Sequence, residues 1–263
     1  MFSTAGFAHA GRLLTLMFFS AVLAGCVTTG DLEPRRKPVD LDQAQEKHVE
    51  MGLRYLQANN RDSARYHFQE ALKLDKRDPA AMHGFALVYQ AEGEKEVAEQ
   101  FFKKALRADS RFSMARVNYG VFLYGQGRFE DAYEQFRKAS DDLDYNRRSF
   151  ALTNLGRSAL KLGNRERAEG AFTKALALDP GLTMALIEMA ELKFEDGAYS
   201  LAKRYLDQFN RASRPTPRSL LIGIRIEQIF GNRDREASYA LALKNLYPYS
   251  QENLEYQRSK NND

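Results

Sequence analysis

The sequence predicts an all-α chain, a right-handed α-solenoid of six helix–turn–helix repeats, and three observations carry that reading. Small residues recur at Gly52, Ala86, Gly120, Gly156 and Ala190, in steps of 34, 34, 36 and 34 residues. Twelve residues beyond each stands an alanine (Ala64, Ala98, Ala132, Ala168, Ala202), and four further on a large apolar residue (Phe68, Phe102, Phe136, Phe172, Leu206). Between the two halves of each unit lies Asn59, Gly93, Gly127, Gly163 or Gly197. Self-similarity at this period marks a stack in which each unit buries its apolar face only against its neighbours.

Residues 1–25 read as an export signal. Met1 to Arg12 carries one positive side chain and no acid, and Leu13 to Leu23 is almost unbroken apolar sequence, the layout of a secretory leader. That apolar core is shorter than the roughly 20 residues a membrane span requires. The run Leu23-Ala24-Gly25-Cys26 resembles a bacterial lipoprotein signal, which implies lipidation of Cys26 as the first residue of the mature chain. Cys26 is the only cysteine, so no internal disulfide can form. Val27 stands where many inner-membrane lipoproteins have Asp. The resemblance therefore implies a lipid-anchored protein of the outer membrane with its repeat domain facing the periplasm, held by more than one acyl chain, as stable anchoring requires.

Residues 26–44 read as the acylated N-terminus and a flexible tether, with Pro34 and Pro38 around Arg35, Arg36 and Lys37. Prolines remove backbone donors and favour extended chain. Residues 45–250 hold the repeats: 45–78, 79–112, 113–148, 149–182, 183–216 and 217–250. Small residues on facing positions let two antiparallel helices approach to the near end of the roughly 8–10 Å range. The aromatic then fills the space between that pair and the next helix, and Gly93 or Asn59 can take the left-handed conformation that ends a first helix. This pattern resembles the tetratricopeptide repeat. It departs from that family in having no tryptophan; Met82, Arg116, Leu152 and Leu186 stand at the usual position. Arg116 predicts a loosely packed helix start in the third repeat.

Two extra residues between Ser140 and Arg148 predict altered stacking between the third and fourth units. In the sixth repeat, Leu220, Leu221, Ile224, Ile226, Ile229 and Phe230 form an apolar helix ending at Gly231-Asn232, and Arg235 to Leu246 is its partner. Its register slips by about one residue, as expected of a terminal unit that packs on one side only. Residues 251–263 read as a polar C-terminal tail.

The charge balance excludes a nucleic-acid footprint. Lys and Arg total 39 against 35 Asp and Glu. Without the segment that carries Arg12 the net charge is +3, well mixed along the chain, where a nucleic-acid binder clusters its basic residues. Chemistry-bearing constellations are missing from the sequence as well. His48, His67 and His83 show no metal-ligand spacing, and His9 falls in the export signal. Gly120 and Gly125 have a phosphate-loop spacing, but Gln126 and Gly127 replace the Lys and Ser/Thr that bind phosphate and magnesium. There is no Gly-x-Ser-x-Gly elbow. The expectation is a protein that is not an enzyme, with no cofactor, metal or small-molecule substrate.

A repeat stack offers a concave surface built by the first helix of each pair. The repeat resemblance implies that positions two, five, nine and twelve line it. On this chain these include Val49, Leu53, Leu56, His83, Leu87, Met114, Val117, Val121 and Tyr124, an apolar stripe over repeats one to three. Arg157, Glu191 and Glu195 interrupt it in repeats four and five. Such a groove suits an amphipathic helix or an extended apolar peptide.

Local matches go further than the repeat. Asn118-Tyr119-Gly120-Val121-Phe122-Leu123-Tyr124, Glu188-Met189-Ala190-Glu191-Leu192, Arg218-Ser219-Leu220-Leu221-Ile222-Gly223-Ile224-Arg225, Arg235-Glu236-Ala237-Ser238-Tyr239 and Leu246-Tyr247-Pro248-Tyr249-Ser250 resemble segments of the type IV pilus biogenesis lipoproteins, the PilF/PilW pilotin family. The resemblance implies binding of the pilus secretin subunits and promotion of their outer-membrane localisation and multimerisation. The alternative is a general periplasmic scaffold that recruits cell-wall hydrolases or proteases, which fold and lipid would serve equally.

Overall fold

The computed structural model describes residues 40–261. Cys26, the export signal and the tether as far as residue 39 lie outside the described residues. Every regular element among the described residues is helical: α1 Leu41–Gln57, α2 Arg61–Leu74, α3 Pro79–Glu92, α4 Lys95–Ala108, α5 Ser113–Gly125, α6 Phe129–Ser140, α7 Arg148–Lys161, α8 Arg165–Leu178, α9 Thr183–Glu195, α10 Tyr199–Ala212, α11 Pro217–Ile229, α12 Arg233–Leu246 and α13 Gln251–Asn261. Successive helices pair as α1/α2, α3/α4, α5/α6, α7/α8, α9/α10 and α11/α12, and these pairs stack in chain order into the right-handed solenoid.

The turn inside each pair follows from its residues. Gly93 adopts φ 84° and Asn59 φ 58°, the left-handed region that Gly enters freely and Asn tolerates. Chain reversal there leaves the first amides of the second helix unpaired, and an asparagine just ahead of the helix satisfies one of them. Asn60 accepts from the Ser63 amide, Asn164 from Arg167 and Asn232 from Arg235. Pro79 and Pro217 open α3 and α11, where a missing N–H costs nothing.

The large apolar residue of each second helix is the keystone of the packing. Phe68, Phe102, Phe136 and Phe172 are fully buried and Leu206 nearly so. Phe102 stacks on Tyr119 of the next repeat at 5.3 Å and touches Phe122 at 5.4 Å. Leu206 clusters with Ile222 and Ile226 of the next. One side chain therefore belongs to two units. The glycines opposite are required by this approach: a Cβ on Gly120 would sit 2.7 Å from the Phe136 ring, and one on Gly156 2.5 Å from Phe172.

Several boundaries differ from the sequence reading. The tether predicted to run to residue 44 gives way to α1 at Leu41. The predicted polar tail is α13, seated on α11. Its Tyr256 is buried with Leu220, Leu221, Ile224 and Leu243, and the buried Asn253 donates through Nδ2 to the Pro248 carbonyl at 2.8 Å. A single tyrosine in a polar helix gives no periodic signal, so composition hid the element. Arg116, expected to loosen its helix start, is instead bonded: its guanidinium donates to the Ser110 carbonyl and to Gln135 Oε1 at 3.2 Å. The long turn between the third and fourth units is pinned, with Ser113 Oγ donating to Asp142 at 2.6 Å and Arg148 Nε to the Ser140 carbonyl at 2.7 Å. There α6 lies along α7 more intimately than any other second helix lies on the next repeat.

Candidate functional site

The first helices α1, α3, α5, α7, α9 and α11 stand side by side and form the inner surface. The structure separates the predicted lining residues by depth. Position five of the repeat is buried throughout the middle of the stack: His83 and Val117 are each 1% exposed, Thr153 is fully buried and Ile187 nearly so. This corrects the assignment of His83 and Val117 to the groove surface. Both are seam residues between consecutive first helices, since a 3.6-residue period places position five between position eight, which faces the second helix, and position nine, which faces the groove. His83 Nε2 accepts from Asn118 Nδ2 at 2.8 Å, and its ring meets Phe112 edge-on at 5.4 Å. Burial holds His83 down at about 4, so the ring stays neutral, as an acceptor must.

Positions two and nine are the ones that reach the open groove. On α5 these are Met114, 37% exposed, and Val121, 40% exposed. Leu53 and Leu56 are half-buried against the cluster of Ala64, Phe68, Phe85 and Val88. Leu87 and Tyr124 pack in the same way on the cluster around Phe102 and Phe136. Val49 is half-buried on α1. Tyr124 is held on two sides, edge-on to Phe129 at 5.1 Å and under the Arg157 guanidinium at 5.1 Å. The apolar half of the groove is therefore shallow, with Met114 and Val121 as its accessible centre.

The other half is a ladder of ion pairs that the sequence reading did not connect. Arg218 on α11 grips the buried Glu188 on α9 through both guanidinium nitrogens, at 3.0 and 2.9 Å, and also bonds Glu191. Arg157 on α7 reaches Glu188 from the other side at 3.4 Å. Burial pulls the Arg218 pKa down, but its bonds to Glu191 and Glu188 outweigh this and raise it. Arg225 pairs with Glu255 on α13. A cleft of about 380 Å³ opens here, lined by Glu191, Phe194, Arg218, Leu221, Arg225 and Glu255. Glu195, expected to interrupt the apolar lining, borders the same cleft at the end of its helix and bonds Arg165 at 2.6 Å. The signal for the ladder was available: Glu188 and Arg218 lie about one repeat apart at neighbouring positions of successive first helices, but only the helix-to-helix approach reveals the bidentate fit.

Among the described residues, no group of three or more His, Cys, Asp or Glu side chains is placed to hold a metal ion. No helix among them is long and apolar enough to cross a membrane. What the inner surface offers chemically is recognition, with apolar contact at one end and guanidinium and carboxylate groups at the other.

Comparison with known proteins agrees with this architecture. Tetratricopeptide-repeat family models match residues 49–111, 83–145 and 149–182. The chain is 39% identical over 246 residues to the type IV pilus assembly protein PilF of Pseudomonas aeruginosa strain PAO1, covering 93% of this chain and 98% of that one. The solved structure of Pseudomonas aeruginosa PilF superposes with a TM-score of 0.79 at 38% identity, over 83% of this chain and 99% of that one. PilW, described as a widely conserved type IV pilus biogenesis factor, superposes with a TM-score of 0.71 at 26% identity, over 82% and 99% of the two chains. Identity sustained across nearly the full length of both sequences, on a shared stack of helix pairs, makes this chain a member of the PilF family of tetratricopeptide-repeat proteins.

Proposed function

We propose that this protein serves type IV pilus biogenesis as an outer-membrane lipoprotein that binds secretin subunits and promotes their localisation and multimerisation in that membrane. The observation that carries the pilus role is the identity to a pilus assembly protein across 93% of this chain. Support for the membrane part is the Leu23–Cys26 run followed by Val27. Support for the recognition part is the inner surface, where Met114 and Val121 stand exposed between better-packed neighbours.

The mechanism is physical. A secretin subunit exposes apolar surface before it assembles, and an apolar groove covers part of it while acyl chains on Cys26 direct the complex to the membrane. Confinement there raises the effective concentration of subunits without a new contact between them. Two acyl signals or more are needed for anchoring of that kind to be stable.

The test is a strain lacking the gene, complemented with the wild-type protein or with Cys26→Ser. Detergent-resistant secretin multimers are then measured in separated membranes. Outer-membrane multimers are expected with the wild type, and multimers that are lost or displaced to the inner membrane with the serine variant. Normal secretin and pili in the deletion strain, with altered cell-wall turnover, would overturn the reading in favour of the scaffold alternative.

A further inference from the structure

His48 on α1 and His67 on α2 face each other across the first helix pair. Antiparallel packing brings their Nδ1 atoms to 3.0 Å, so that one Nδ1–H donates to the other nitrogen. Neither ring is a free rotor. His67 stacks on Tyr55 at 5.3 Å with an interplanar angle of 7°, and Tyr66 meets it edge-on at 5.2 Å. Both histidines are half-buried. The sequence spacing of nineteen residues carries no ligand motif, and only the helix pairing creates the juxtaposition.

Two converging imidazole nitrogens at this separation hold either one proton or one cation. Metal–nitrogen bonds of about 2.0–2.1 Å, at angles from a right angle to the tetrahedral value, set the two nitrogens roughly 2.9–3.4 Å apart. The observed distance lies inside that range without any movement of the helices. We propose that His48 and His67 form a cross-helix site for a divalent transition cation of the imidazole-preferring class, Cu²⁺, Ni²⁺ or Zn²⁺, with the two Nδ1 atoms as ligands and water in the remaining positions. No third His, Cys, Asp or Glu completes the site among the described residues. The nearest carboxylate along α2, Glu70, is paired with Lys73 at 2.6 Å.

The location gives the site a physical role. Only Gly52 is buried on α1, and no repeat among the described residues packs on its outer side. A cation bridging α1 to α2 fastens the terminal helix pair of the stack, and a ligand that binds only the folded state stabilises it by mass action. This inference is independent of the secretin reading.

The experiment titrates the full chain with Zn²⁺ by calorimetry and with Cu²⁺ by electron paramagnetic resonance. It compares wild type with His48→Gln, with His67→Phe, which preserves stacking on Tyr55, and with His83→Gln as a buried control. Cys26 is common to all four, so its contribution cancels. Expected are one cation per chain, a two-nitrogen hyperfine pattern, and affinity lower by about tenfold or more in both site variants but not in the control. Equal binding by wild type and both site variants, or none in the wild type at millimolar metal, overturns the proposal.

Discussion

The ring of Phe68 lies between two glycines, Gly52 of its own repeat and Gly84 of the next, and a Cβ on either would collide with it. A ring hemmed in on both sides cannot step away from an added methyl group. Gly84→Ala should therefore destabilise the fold by about 1–3 kcal/mol through overpacking, although alanine is the better helix former by roughly 1 kcal/mol. Gly170, exposed in α8 with nothing near its missing Cβ, is the counter-case. Gly170→Ala should stabilise by about 0.5–1 kcal/mol, and urea denaturation of the two variants measures both signs. His83 supplies a pH dependence. Its folded pKa, held at about 4, lies below its unbound value of 6.5, so the unfolded chain takes up the proton first as pH falls. The stability this neutral ring contributes is complete above pH 6.5 and is lost progressively down to about 4. Removing that titration in His83→Gln should flatten the urea-midpoint profile over this window. Depth is what spacing leaves out at this scale. The groove rule identifies a face of each first helix, and on that face position five sinks into the seam while positions two and nine stay at the surface.

Helices were legible wherever the apolar pattern repeats, because each turn residue and keystone recurs with nearly the same offset. They were hidden where one side chain carries the packing, and α13 is that case. Truncation after Ser250 removes Tyr256 from its place against Leu220, Leu221 and Ile224. Loss of one large buried side chain and the cover it provides should cost on the order of 2–3 kcal/mol, read as a lower thermal midpoint and faster amide exchange in α11. The α4–α5–α6 contact has its own titration. Burial pushes the Glu99 carboxyl up, but bonds from Lys103, Arg128 and Tyr119 outweigh it and hold the group at about 2 against an ordinary 4.5. A depressed carboxyl contributes stability above the unfolded value and loses it as pH drops through the folded one. The stability difference between wild type and Glu99→Gln should therefore shrink from pH 4.5 towards 2, a window that lies mostly below that of His83.

Across the whole molecule the inner surface divides into an apolar first half and a charged second half whose members are already paired. A charge introduced at an exposed apolar point should disturb binding without disturbing the stack. Met114→Glu and Val121→Glu are expected to keep the wild-type thermal midpoint and to lower secretin capture in a pull-down by about tenfold or more, as loss of a central contact does. If both capture secretin normally while Glu191→Lys does not, recognition lies in the later repeats. The fold was legible in the sequence because five in-register copies leave little freedom, and the family because segments such as Asn118–Tyr124 and Arg218–Arg225 resemble it beyond the repeat pattern. The ladder from Arg157 through Glu188 to Arg218 was not, since ion pairing between successive helices depends on rotamers that no periodicity encodes.

The shared keystone residues also determine how the chain responds to pulling. Each of Phe68, Phe102 and Leu206 is seated in two consecutive units, so a middle repeat cannot give way without unseating its neighbour. A terminal repeat has to break only one such joint. Tension applied between the two ends should peel the stack from its extremities inward. Each event should release a 34-residue length, roughly 110–120 Å of slack, in a sawtooth of evenly spaced steps. The intimate α6–α7 joint is expected to yield last and to give the tallest tooth.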